Sequence, residues 1–200
     1  MLDLLIKGGT VVDGTGSPGR VADVGVRDGR IVAVGDVTED ATETVDATGL
    51  VVCPGFVDPH THYDAQLFWD KRATPSNLFG VTSMVAGNCG FSLAPLGDEA
   101  DGDYLKRMMV KVEGMALEAL DQGVPWNWHT FGEYLDAVED GGLAVNVGYL
   151  VGHCALRRLV MKDSSVGELA TDEQNAAMRG LLKESIEAGG MGFSTGRSFT

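Results

Sequence analysis

The sequence has few basic residues, few cysteines and no long hydrophobic run. Its 200 residues include 15 Lys and Arg against 29 Asp and Glu, which gives a formal net charge of −14 at pH 7. A chain this acidic lacks the basic surface that binding to nucleic-acid phosphates requires. Anionic membrane surfaces should repel it for the same reason. We therefore expect neither a nucleic acid nor a membrane as a partner.

Cysteine usage indicates a reducing compartment. The three cysteines, Cys53, Cys89 and Cys154, are an odd number, lie far apart and form no C-x-x-C pair. The N-terminal stretch MLDLLIKGG contains an acidic residue, and its apolar run is too short for a signal peptide. The longest nearly apolar stretches, residues 50–57 and 143–151, are far below the ~18 to 20 residues needed to cross a bilayer. These features predict a soluble, cytoplasmic protein.

Glycine divides the first 55 residues into short β-branched runs. Turn dipeptides separate these runs at Gly8-Gly9, Asp13-Gly14 and Asp28-Gly29. Asp28-Gly29 lies between two alternating stretches, which predicts a tight two-residue hairpin. The pattern as a whole predicts a meander of short strands.

Strand-like and helical segments alternate after Gly55. The strands are predicted at residues 56–62, 82–89, 144–151 and 191–195. Helices are predicted over residues 104–120, 131–138 and 172–188. Thr130 and Thr171 begin capping boxes that start the last two helices. Alternation of this kind favours a parallel sheet whose connections are mostly helical.

Two glycine motifs match known functional patterns without the context that those patterns require. Residues 14–19, GTGSPG, match the dinucleotide-binding pattern, but a strand-like run follows them instead of a helix. Residues 192–196, GFSTG, match the nucleophile elbow of serine hydrolases, whose acid and histidine follow the serine in the chain. We interpret Ser194 as a polar residue at the end of a strand.

A metal site is predicted from two histidines and a cysteine. His60 and His62 are two residues apart, so on a strand both imidazoles would point to one side and bind one cation. By themselves they are equally consistent with an ordinary loop. Cys89, between Asn88 and a glycine, ends the next predicted strand and offers a thiolate there. We interpret Cys53 and Cys154 as inert, buried cysteines.

These segments resemble the amidohydrolase superfamily, and more narrowly the N-acyl-D-amino-acid deacylases, also called D-aminoacylases. The matching segments run through the whole chain in order: LLIKGGTVVDGTGSPGRVADVGVRDGRIVAVG, PGFVDPHTHYD, GVTSMVAGNCGFSLAPL, VGHCALR and GFSTG. The HTH signature is typical of the whole superfamily. GNCGFSLAP is the feature that more specifically resembles the deacylases.

The resemblance implies an α/β fold. Residues 56–200 would form about the first four strands of a metal-dependent (β/α)8 barrel, and residues 1–55 would form part of a small β-sandwich. It also implies one or two zinc ions, with His60, His62 and Cys89 as ligands. His153 is a candidate for supporting those ligands without binding the metal itself, although a structural histidine is at least as consistent with its position. His129 is predicted to lie on the surface.

The activity implied by the resemblance is zinc-dependent hydrolysis of a linear amide bond, the deacylation of a small-molecule N-acyl-D-amino acid. The family's catalytic aspartate and two further histidine ligands come from later strands, so we expect them beyond residue 200. One alternative is a cyclic amidohydrolase of the dihydroorotase or hydantoinase type, although the fourth predicted strand lacks the lysine of those enzymes. A non-catalytic scaffold is the alternative if the natural protein ends at Thr200. The oligomeric state stays open.

Overall fold

The computed structural model describes residues 1–196, and the chain divides into two compact units, Met1–Gly55 and Phe56–Thr200. The first unit is a five-stranded sheet. Its strands are β1 (Leu2–Val11), β2 (Arg20–Arg27), β3 (Arg30–Gly35), β4 (Ala41–Asp46) and β5 (Val51–Val52). Strands β1, β2 and β3 are antiparallel neighbours, whereas β4 and β5 each pair with β1 in parallel.

Two of the predicted turn dipeptides in the first unit, Asp28-Gly29 and Gly8-Gly9, have different structures. Asp28 and Gly29 have φ angles of 51° and 68° and connect β2 to β3, so the predicted hairpin is confirmed. The turn predicted at Gly8-Gly9 is wrong, because β1 continues through both residues. The register with β2 shifts between Ile6 and Gly9, which makes this pair an irregularity within one strand.

The second unit is built on a four-stranded parallel sheet in chain order. Its strands are β6 (Phe56–Asp58), β7 (Val81–Ala86), β8 (Asn146–Gly152) and β9 (Gly192–Ser194). Each strand pairs in parallel with the next, as successive strands of a (β/α) barrel do. The predicted half-barrel is therefore confirmed, although β6 and β7 end earlier than the predicted limits at residues 62 and 89.

Five α-helices accompany this sheet in the part of the chain that the structure describes. They are α1 (Glu99–Glu113), α2 (Leu117–Gly123), α3 (Phe131–Glu139), α4 (His153–Met161) and α5 (Asp172–Glu187). The single helix predicted over residues 104–120 is wrong, because Gly114 adopts a left-handed φ of 66° and ends α1. The capping boxes at Thr130 and Thr171 are confirmed.

The core of the second unit is rich in aromatic residues. Trp128, Phe131 and Tyr134 are almost fully buried, and the Trp128 indole N–H donates to the Leu93 carbonyl at 2.9 Å. The ring of Phe68 stacks on Trp128 with centroids 5.3 Å apart. Burial of such large rings is the main source of stability in a core of this kind.

A buried ion pair connects α1 to α4. The Asp101 carboxylate, 1% exposed, accepts from Arg158 at 2.8 Å and from Lys162 at 2.5 Å. Asp101 also completes a capping box with Asp98 at the start of α1. This one carboxylate therefore fixes where α1 begins and holds it beside α4. Among residues 1–196, no helix has both the length and the apolar character needed to pass through a bilayer.

Candidate metal centre

The two histidines lie in a bend directly after β6. The strand ends at Asp58, whose carboxylate accepts the backbone N–H of His60 at 3.1 Å. Thr61, between the histidines, is buried and attaches the bend to β7: its backbone N–H and its hydroxyl both donate to the Val85 carbonyl, at 2.9 and 2.8 Å. The prediction that His60 and His62 share one side of a strand is wrong, but the anchored bend still brings them close.

Cys89 lies in a short 3₁₀ turn, Asn88–Gly90, just after β7. Cys89 has a φ of 57°, a left-handed conformation that is uncommon for a residue with a side chain. The Asn88 side-chain amide holds the turn by donating to the Val85 carbonyl at 2.9 Å. The Ser194 hydroxyl, at the end of β9, accepts the Gly90 N–H at 3.0 Å and donates to the Gly87 carbonyl. Ser194 therefore has the structural role that we predicted for it.

The structure brings His60, His62 and Cys89 together. One donor atom from each lies within 4.8 Å of the others, and the His60 Nε2 atom is 3.1 Å from the Cys89 Sγ atom. The two imidazole rings meet edge to face, with centroids 5.6 Å apart. Two nitrogens and one sulfur at this separation fit a tetrahedral zinc or a similar soft divalent ion. They do not suit magnesium or calcium, which prefer oxygen ligands.

His62 is half-buried beside an acidic side chain. Burial lowers the pKa of His62, while the nearby Glu113 carboxylate opposes that shift. Within the part of the chain that the structure describes, the buried Nδ1 atom of His62 makes no hydrogen bond, although Glu113 Oε1 lies only 3.6 Å from it. The sequence pattern did not predict this contact, because Glu113 is the last residue of α1 and only the path of this helix brings it to the histidine.

Asp64 is a second residue near the histidines that the sequence pattern did not predict. Its side chain is fully buried, and burial raises its pKa to about 7. One carboxylate oxygen accepts the Gly87 N–H at 3.1 Å, whereas the other has no partner among the described residues. The signal available in the sequence was an acidic residue two positions after His62, in PHTHYDA. Asp64 therefore connects the histidine bend to the turn that carries Cys89.

A cavity of about 850 Å³ opens beside these side chains. His60, Cys89, Phe91, Lys111 and Cys154 contribute to its wall. Of the described residues that line it, none is acidic. A hydrophobic wall with a few polar groups is typical of small-molecule sites.

His153 lies near the cavity but makes its own contacts. It is the first residue of α4, and its Nδ1 atom is 3.1 Å from the Thr195 hydroxyl. Its ring packs edge to face on Phe193, and burial lowers its pKa. No hydrogen bond within residues 1–196 joins it to His60, His62 or Cys89. The role proposed for His153 in supporting the ligands therefore stays a prediction.

The remaining histidine and cysteines fall outside the cluster. His129 is exposed in the segment before α3, as predicted. Cys53 was predicted to be buried, and this is wrong, because it lies in the exposed segment after β5. Cys154 is half-buried in α4, and burial raises the pKa of its thiol, which keeps it protonated.

The chain matches a family model, several known proteins and several solved structures. The family model described as "Amidohydrolase family" matches residues 43–200. D-aminoacylase of Alcaligenes xylosoxydans xylosoxydans is 45% identical over 195 residues, which cover 97% of this chain and 37% of that protein. The chain thus spans little more than a third of the length of this relative.

Two solved structures share the fold. A structure from a study of the binuclear metal centre of D-aminoacylase matches with a TM-score of 0.81 and 41% identity, covering 98% of this chain and 39% of that one. N-acyl-D-glutamate deacylase of Bordetella bronchiseptica, complexed with zinc and a phosphonate inhibitor that mimics the tetrahedral intermediate, matches with a TM-score of 0.75 and 35% identity. That match covers 98% of this chain and 38% of the deacylase.

Proposed function

Because the chain belongs to the amidohydrolase family, we propose that this protein is a zinc-dependent hydrolase that removes the acyl group from an N-acyl-D-amino acid. The observation that carries the proposal is the cluster of His60, His62 and Cys89, with donor atoms within 4.8 Å of one another. The D-amino-acid class comes from the relatives, whose names specify D-aminoacylase and N-acyl-D-aspartate deacylase.

His60, His62 and Cys89 are the residues that would hold zinc. When bound at such a set, zinc supplies Lewis acidity toward an amide carbonyl. The proposal includes one or two zinc ions, since the D-aminoacylase study concerns a binuclear centre. We propose no catalytic acid or base within residues 1–196.

The neighbouring residues hold the ligands in place before any metal binds. Thr61 fixes the histidine bend to β7 through two hydrogen bonds to Val85. Asp64 joins the same bend to Gly87, at the start of the Cys89 turn. Preorganisation of this kind lowers the cost of assembling a metal site. His153, whose Nδ1 atom lies 3.1 Å from the Thr195 hydroxyl, is proposed to support these ligands without binding the metal itself.

The domain organisation follows the same proposal. Residues 1–55 would be part of a β-sandwich, and residues 56–200 would be the first part of a (β/α)8 barrel. The five-stranded sheet of the first unit and the four parallel strands of the second support this assignment.

Metal analysis and substrate profiling of the purified full-length protein test the proposal. We expect about one equivalent of zinc or more, and hydrolysis of N-acetyl-D-amino acids that a chelator abolishes and added zinc restores. N-acetyl-L-amino acids, hydantoin and dihydroorotate serve as comparison substrates. Preferential hydrolysis of a cyclic substrate would contradict the deacylase assignment. Absence of any transition metal from active protein would contradict the zinc site.

A further inference from the structure

The walls of two adjoining cavities carry an unusual charge for this chain. The second cavity, of about 570 Å³, shares Phe91, Lys111, Val112, Cys154 and Gly196 with the cavity beside the metal cluster. Among the described residues that line either cavity, none is aspartate or glutamate. The whole chain has almost twice as many acidic as basic residues. A lining without acids is therefore a local reversal of the overall charge.

Three cations lie in the wall of the second cavity. Arg107 and Lys111 are one turn apart on α1, and Arg157 comes from α4. Within residues 1–196, no carboxylate lies within 4.0 Å of the Lys111 ammonium, whereas Arg107 pairs with Asp103 at 2.8 Å. Lys111 thus offers a free positive charge to both cavities.

Arg157 is held in place by backbone carbonyls and pairs with no carboxylate among the described residues. Its Nε and Nη2 atoms donate to the Ser165 carbonyl at 3.0 and 2.8 Å, and Nη2 also donates to the Glu168 carbonyl at 2.8 Å. Backbone carbonyls orient a guanidinium but carry no net charge. The positive charge of Arg157 therefore remains available to an anion in the cavity.

The other side chains of the second cavity select the kind of anion. Phe91, Tyr104, Met108 and Val166 give it a largely apolar wall. An organic anion can bury its carbon skeleton against such a wall while its carboxylate meets the cations. Charge-assisted pairs with Lys and Arg are stronger than neutral hydrogen bonds, and a partly enclosed site strengthens them further.

We propose that the cavity between α1 and α4 binds a carboxylate of the substrate through Lys111 and Arg157, with Arg107 adding positive charge at its exposed edge. This inference rests on the proposed function, because it assigns the carboxylate to an N-acyl-D-amino acid. The carboxylate is either the α-carboxylate or one on the side chain of the amino acid. Local positive charge would also draw an anionic substrate toward an otherwise acidic surface.

Kinetics of the zinc-loaded full-length protein test the assignment. Lys111→Gln should raise KM about ten-fold for substrates that present the bound carboxylate, with a smaller change in kcat, because one charge-assisted contact is lost. Lys183→Gln is the matched control, since Lys183 is an exposed lysine on α5, paired with Glu187. Three substrates are compared. They are an N-acetyl-D-amino acid with an apolar side chain, the α-carboxamide of that compound, and an N-acetyl-D-amino acid with a side-chain carboxylate.

The substrate series identifies which carboxylate is bound. A KM effect on both acids, absent from the carboxamide, supports the α-carboxylate. An effect confined to the substrate with a side-chain carboxylate supports that group. Equal KM values for wild type and Lys111→Gln on all three substrates would overturn the proposal, as would an equal rise on all three.

A binding measurement separates this proposal from the proposed function. Succinate is titrated calorimetrically into zinc-loaded wild type, Lys111→Gln and Lys183→Gln, whose equal metal content is verified first. We expect about ten-fold weaker binding to Lys111→Gln alone. Equal or undetectable binding in all three proteins overturns the anion site, whatever the activity. Succinate binding that depends on Lys111, in a protein without amide hydrolysis, supports the site and contradicts the proposed function.

Discussion

The Nε2 atom of His60 lies 3.1 Å from the Sγ atom of Cys89, although 28 residues separate them in the chain. The two residues follow neighbouring parallel strands, β6 and β7, whose ends meet at the same edge of the sheet. A hydrogen bond or a shared cation can account for a contact of this length. The third donor, from His62 and within 4.8 Å of the other two, is the reason for interpreting the group as metal ligands.

The first prediction concerns Cys89 itself. Cys89→Ala and Cys89→Ser should both lower zinc content and activity together, because each removes the thiolate while the strands on either side still pack. Elemental analysis and circular dichroism of the full-length variants measure metal and fold separately. Cys53→Ala is the control and should retain zinc, since Cys53 is exposed in the first unit. Unchanged zinc content in Cys89→Ala would show that Cys89 is only a packing residue.

Glu113 gives a second prediction. Its carboxylate oxygen lies 3.6 Å from the Nδ1 atom of His62, which has no hydrogen-bond partner among residues 1–196, and can therefore orient the imidazole. We expect Glu113→Ala to weaken zinc binding by about 10- to 100-fold, as loss of a carboxylate behind a metal-binding histidine commonly does. Glu113→Gln should recover part of that loss, because the amide oxygen still accepts a hydrogen bond. Competition with a chelating dye measures the affinity.

The control for Glu113 is Glu118→Ala, because Glu118 is an exposed acidic residue in the first turn of α2. It removes the same charge without touching His62 and should leave zinc affinity unchanged. If Glu113→Ala and Glu118→Ala bind zinc equally well, Glu113 has no part in holding His62.

The sequence predicted features that are encoded locally. The Asp28-Gly29 hairpin and the helices that begin after Thr130 and Thr171 depend on residues within a few positions of each other, and all three are confirmed. Cys89 could be predicted near the histidines because the ends of parallel strands meet at one edge. That argument needs only the order of the strands.

The features that the sequence did not predict depend on contacts between residues far apart in the chain. The start of α1 at Glu99 is set by the Asp98 and Asp101 capping box and by the ion pair from Asp101 to Arg158, 57 residues away. The same contacts determine where Glu113 and Lys111 lie. Helix α4 begins at His153 with no turn sequence after β8, so the pattern gave no signal for its start. The end of β6 before His60 likewise follows from the contact between Thr61 and Val85.

A third prediction tests the buried ion pair. Asp101→Ala should lower the free energy of unfolding by about 3 kcal/mol, because it removes the buried carboxylate and leaves the Arg158 guanidinium paired only with the exposed Asp163. Chemical denaturation monitored by tryptophan fluorescence measures the change. Glu187→Ala removes an exposed i,i+4 partner of Lys183 and should change stability by less than about 0.5 kcal/mol. Similar losses for the two variants would mean that Asp101 does not hold α1 to α4.

The fourth prediction separates crowding from backbone conformation at Gly87. Both Gly87 and Gly141 have left-handed φ angles, 77° and 79°, so alanine at either position costs about 1 to 2 kcal/mol for conformation alone. A Cβ atom on Gly87 would lie 2.1 Å from the Leu150 carbonyl oxygen, whereas one on Gly141 would meet no atom within 4 Å.

The backbone of β8 cannot move away from such a Cβ atom without disturbing the pairing of β8 with β7. Gly87→Ala should therefore be much more destabilising than Gly141→Ala. Because Gly87 directly precedes the turn that carries Cys89, a shift of the backbone at this position would displace the thiol, and the same variant should lose zinc. Thermal unfolding and elemental analysis of both full-length variants measure the two effects. If Gly87→Ala and Gly141→Ala melt at the same temperature and retain equal zinc, close packing of β7 against β8 does not position the cysteine.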